Sequence, residues 1–69
     1  MAEYKEAGEL CVGDVWINRD QPRNRVLRVV EVSKRAVRSL VVIIGEDVER
    51  EGERYACEFF TVNRVELVE

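Results

Sequence analysis

Arg25-Val26-Leu27-Arg28-Val29-Val30-Glu31-Val32, followed by Ser33-Lys34-Arg35 and the run from Ala36 to Ile44, is the stretch on which the fold turns. β-Branched residues crowd both runs and a short polar step divides them, so the pair reads as a hairpin. The alternation is imperfect. Val29-Val30 and Leu40-Val41-Val42-Ile43-Ile44 put apolar groups on both faces of their strands. A flat sheet would leave one face in water, whereas a curled sheet, or one joined to another subunit, buries part of both. Leu40 to Ile44 therefore fits either a central barrel strand or an interface strand.

Working toward the N-terminus, Arg19-Asp20-Gln21-Pro22-Arg23-Asn24 has turn chemistry. Asp20 can accept backbone hydrogen bonds and Pro22 pre-sets φ. An ion pair between Asp20 and Arg25 would steady that turn. Before it stands Asp14-Val15-Trp16-Ile17-Asn18, opened by Gly13. With Val15 and Ile17 inward, period-two alternation puts Trp16 on the outer face, under an arginine stem, against the N-terminal segment or anchoring a partner. Residues 1–9 show no apolar stripe and read as a mobile segment or one helical turn.

Toward the C-terminus the third run ends at Gly45, and residues 46–53 form an acidic loop. Arg54 to Thr61 is the fourth strand. Its adjacent Phe59 and Phe60 send one ring to the core and the other to a turn or partner. Val62-Asn63-Arg64 suits a 3-10 turn, and Val65 to Val68 a last short strand. The expectation is an all-β fold: a single domain over residues 10–69, a small five-stranded SH3-like β-barrel with a 3-10 turn before the last strand. An OB-like barrel competes, but the place of its usual helix holds only a short loop carrying Gly52.

Composition narrows the chemistry. In 69 residues, 46% are hydrophobic and 36% charged, enough for one small core. There is no histidine, which excludes Ser-His-Asp and Cys-His catalysis and histidine-based metal sites. Cys11 and Cys57 form no CxxC pair and read as small apolar groups with reduced thiols; a disulfide between them stays open. No apolar run reaches the ~20 residues of a membrane span, so a cytoplasmic protein is expected. Nothing in the sequence points to an enzyme, a metal or a small-molecule cofactor.

Gly13-Asp14-Val15-Trp16, Asp20, Arg23, Arg25 and the strand Val26 to Val32 resemble a pattern in small uncharacterised proteins of actinobacteria and their phages. The likeness covers roughly residues 10–44. It implies a small SH3-like β-barrel and no established activity; if the chain is phage-encoded, an accessory or regulatory protein in the host cytoplasm is expected. Where that pattern has a glycine before the strand-leading arginine, this chain has Asn24, a residue that tolerates positive φ.

Charge is unevenly spread. Residues 19–38 carry seven basic residues against two acidic ones, a net +5, and residues 39–58 a net −4, within a chain of net charge −3. Trp16, Arg19, Arg23, Arg25, Arg28, Lys34, Arg35 and Arg38 are the candidate binding residues. Guanidinium forks suit phosphate, and Trp16 and Tyr55 could stack on bases, which gives a nucleic-acid reading. The same arginines can instead pair with the acidic loop, Asp20 and Glu31. Complementary charge blocks and surplus apolar residues favour a protein partner or a homo-oligomer.

Overall fold

The computed structural model describes residues 3–20, 23–34 and 39–68. Six strands follow one another: β1 (Glu3–Glu6), β2 (Val15–Asn18), β3 (Arg25–Lys34), β4 (Leu40–Asp47), β5 (Arg54–Phe60) and β6 (Arg64–Leu67). They form one sheet in the order β1-β6-β2-β3-β4-β5, antiparallel throughout. The all-β class is as the sequence implied. The five-stranded SH3-like barrel is not confirmed, because there are six strands and the outermost two, β1 and β5, do not pair.

The β3–β4 hairpin holds the fold together. Its register runs from Leu27 opposite Asp47 to Lys34 opposite Val41, with a slip between Val29 and Glu31. That bulge explains the imperfect alternation at Val29-Val30. One extra residue at Val30 reverses the parity, so Val29 is buried before it and Val32 packs on the core after it. The core comprises Ala7, Leu10, Trp16, Leu27, Val29, Val41, Ile43, Cys57 and Val65, with Tyr55, Phe59 and Leu67 against it. β4 lies between β3 and β5 with Val41 and Ile43 buried and Leu40, Val42 and Ile44 half-buried, so its backbone edges are already used.

Trp16 corrects the expected orientation: it is fully buried, and Val15 and Ile17 take the outer face. The cause lies on another strand. Gly45 does not end β4 but sits inside it, and a Cβ there would lie 2.6 Å from Trp16 Cη2 and 3.0 Å from Leu27 Cβ. The missing side chain is the space the indole fills.

Residues 1–9 also depart from expectation. Glu3–Glu6 pair with β6, Glu3 opposite Leu67 and Glu6 opposite Arg64. The 3-10 turn stands here, at Ala7–Glu9, and not before the last strand, where Asn63 N–H closes a turn on Phe60 O (3.0 Å). Ala7 N–H donates to Asn63 O (2.7 Å) and Gly8 N–H to Thr61 O (2.9 Å), which ties the N-terminal arm to the β5–β6 turn. Asn24 adopts φ +57°, the conformation that turn requires.

Asp14 pins the approach to β2. Its Oδ2 accepts the Cys11 N–H at 2.9 Å and Lys5 Nζ at 3.0 Å. The Cys11 bond, then the Lys5 bond, hold the carboxyl below its ordinary 3.8, while Asp14 lifts Lys5 above 10.5. A carboxylate with a lowered folded pKa stabilises above its unfolded pKa, and that contribution disappears as pH falls through the folded one. Stability should therefore drop below about pH 4. Asp14→Asn should lower stability at pH 7 and flatten that acid limb in urea titrations; an unchanged limb would remove Asp14 as its source.

Candidate functional site

The basic residues of the sequence do not gather on one face. Arg19 and Arg23 are exposed at the β2–β3 turn. Arg19 donates to Glu66 Oε1 (3.0 Å) and to Asn24 Oδ1 (3.3 Å). Arg25 lies on the core side of β3, and its partner is Asp47, 3.6 Å away, instead of Asp20. Arg28 falls on the opposite face by strand parity, across from Glu46, which in turn accepts Arg54 Nε at 3.0 Å. Lys34 stands nine residues beyond Arg25 along β3, up to about 30 Å in an extended strand. Arg35 and Arg38 lie outside the described residues. Trp16 is too deeply buried to offer a stacking face. Tyr55 is half-buried and its hydroxyl donates to Glu53 Oε2 (2.9 Å), a bond to the protonated form that raises its pKa.

Asp47 is 2% exposed, and its Oδ1 accepts the Glu49 N–H at 2.8 Å. Its Oδ2 has no hydrogen bond and depends on the Arg25 charge. The pair is lopsided, since the arginine side chain is 30% exposed. Removing Arg25 strands a buried anion, whereas removing Asp47 leaves a cation that water can reach. Arg25→Ala should thus cost about 2–3 kcal/mol and Asp47→Ala about 1–2 kcal/mol in urea unfolding. The reverse order would show that the buried carboxylate is satisfied in some other way.

What the strands do bring together is a groove. Two hollows of about 250 and 560 Å³ adjoin and share Asp20, Phe59 and Arg64. Tyr4, Trp16, Asn18 and Val65 line the first, and Leu40, Glu58, Phe60 and Asn63 the second. The groove exists because the sheet is curled but open. Trp16 on β2 meets Phe59 on β5 edge-to-face at 6.5 Å and 79°. Tyr4 and Phe60, 58% and 56% exposed, stand at its rims. The Nε1–H of Trp16 has no acceptor, a costly state for a buried donor. Neither hollow is a deep, enclosed chamber; each suits a side chain or two of an extended partner.

The cysteines are both free. Cys57 is buried, and burial followed by the Asp20 charge pushes its thiol pKa up, which leaves it unreactive. Cys11 is exposed, against the expectation of a buried apolar group. Among the described residues no helix is long and apolar enough to cross a membrane, and no three of His, Cys, Asp and Glu stand together as metal ligands. No protein-family model matches the chain, and no curated protein matches it. The groove went unread in the sequence because its walls come from residues 4, 16, 20, 59 and 64, which share no motif.

Proposed function

We propose that the protein is a non-enzymatic binding module of the cytoplasm, an SH3-like curled sheet that seats an extended segment of a protein partner in the groove between β5 and β6. The observation that carries this reading is the placement of aromatics. Tyr4, Phe59 and Phe60 line the two hollows, over a floor set by the fully buried Trp16. Two are mostly exposed, where an isolated domain gains nothing from them. Aromatic anchors in a shallow groove flanked by mixed charge, here Asp20, Glu58 and Arg64, are the usual furniture of peptide recognition.

Selection of random dodecapeptides displayed on phage against the immobilised protein tests the proposal. A family of peptides with a shared apolar anchor should emerge. Tyr4→Ala and Phe60→Ala, both surface changes, should each weaken those peptides about tenfold. An unenriched pool, or peptides indifferent to both changes, overturns it. The second reading is nucleic-acid binding through residues 19–38, favoured by their net +5 and by the exposure of Arg23 and Lys34. Anisotropy titration of a labelled single-stranded oligonucleotide at low salt decides that case. Binding abolished by Arg23→Glu with Lys34→Glu would put the nucleic-acid reading first.

A further inference from the structure

We propose that β5 is a self-pairing edge, on which two copies of this chain join antiparallel about a two-fold axis at Ala56. The inference goes beyond the groove reading and does not depend on it. It starts from the direction of backbone groups. Asp47 N–H donates to Glu53 O (2.9 Å) at one end of the β4–β5 ladder, and Thr61 N–H to Ser39 O (2.8 Å) at the other. The register between these ends is unbroken. In an antiparallel ladder the bonded direction alternates, so residues 53, 55, 57, 59 and 61 turn toward β4. Arg54, Ala56, Glu58 and Phe60 then turn their N–H and C=O groups outward. Phe60 is already spent: its N–H donates to Asn63 Oδ1 (2.9 Å) and its C=O accepts the Asn63 N–H (3.0 Å). Three residues are left with unpaired backbone groups, and all three are exposed.

A two-fold axis at Ala56 uses every one of them. Ala56 faces its own copy, Arg54 faces Glu58 of the other chain, and Glu58 faces Arg54. That register makes six N–H···O=C bonds. A register centred one residue later, on Cys57, would spend Phe60 groups that are already bonded. Side chains agree with the backbone. On the outer face the two cross-chain pairs are Arg54 with Glu58, opposite charges repeated by symmetry, and the axis carries the small Ala56 side chains. Among the described residues Glu58 has no ion pair or hydrogen bond of its own. Arg28, Glu46 and Arg54 already form a row of alternating sign across β3, β4 and β5, and Glu58 of the second copy continues it.

Charged Arg54 and Glu58 apart, the edge shows little of the usual protection among the described residues. β5 has seven residues, no proline and no bulge against β4. β1, the other edge, is only four residues long and carries Glu3, Lys5 and Glu6. The pairing covers a small surface, so the dimer is weak, with a dissociation constant in the micromolar range or above.

Sedimentation of the intact chain up to about 0.5 mM at low salt tests this. A monomer–dimer equilibrium is expected. Arg54→Glu and Glu58→Arg should each weaken it at least tenfold by setting like charges opposite each other twice. An equimolar mixture of the two variants should recover association to within about threefold of the original, because both cross-pairs are again opposite in sign. Ala56→Pro, which removes an outward N–H that β4 does not use, should abolish it. Far-UV dichroism confirms that each variant folds. A chain that stays monomeric at the highest concentration, a dimer untouched by Ala56→Pro, or a charge-swapped mixture that fails to recover overturns the proposal. Peptide binding by a strictly monomeric protein would leave the groove reading standing alone.

Discussion

Trp16→Ala is expected to unfold the domain. Trp16 is the largest of the fully buried side chains and is 0% exposed, with Gly45 and Leu27 on one side and the Phe59 ring on another. Truncating a buried tryptophan to alanine costs about 3–5 kcal/mol, and a core this small rarely supplies more than that in total. The variant should lose amide dispersion in proton NMR and show no cooperative thermal transition. A folded variant whose midpoint falls by only a few degrees would mean that the core is organised elsewhere. Trp16→Phe is the milder probe: it keeps an aromatic ring near Phe59 and gives up the six-membered ring that reaches Gly45.

Gly45→Ala should destabilise by about 2–3 kcal/mol, opposite in sign to the usual gain from replacing a strand glycine. Its new methyl would stand 2.6 Å from Trp16 Cη2, and Leu27, at 3.0 and 3.2 Å, blocks the other way out. For a domain of this size that is about 10–20 °C of melting temperature. The two sites should couple. With Trp16→Phe in place, Gly45→Ala should cost at least about 1 kcal/mol less than it does alone, because the atom it strikes is gone. Strict additivity in the double-mutant cycle would show that the clash is relieved by backbone movement and not by the indole.

These two positions also mark where the sequence could and could not be read. The β3–β4 hairpin was legible because Val, Leu and Ile recur over both runs with a polar step between them. Val29-Val30 looked two-faced, and the structure resolves this as a bulge, which no single-strand pattern distinguishes from true two-sided burial. The sequence points Trp16 outward because Val15 and Ile17 together outweigh one aromatic in any local count, whereas the folded chain buries it. The deciding residue, Gly45, lies on another strand and reads locally as a stop. Gly45 also hid the continuation of β4 through Glu46 and Asp47. β1 was missed because Glu3-Tyr4-Lys5-Glu6 is mostly charged, as an edge strand can be when its partner supplies the hydrogen bonds. Of the candidate site, the basic residues were visible but dispersed. The groove was invisible because long-range packing alone assembles it.

The pairing of β1 with β6 sets Glu3 directly opposite Leu67, so the N-terminal end of β1 and the C-terminal end of β6 stand side by side at one margin of the sheet. A pull applied to both ends would load the four cross-strand pairs one after another, like a zip, and never all at once in shear. The domain should therefore give way to tension at low force, from this seam inward, however firmly the tryptophan holds the interior.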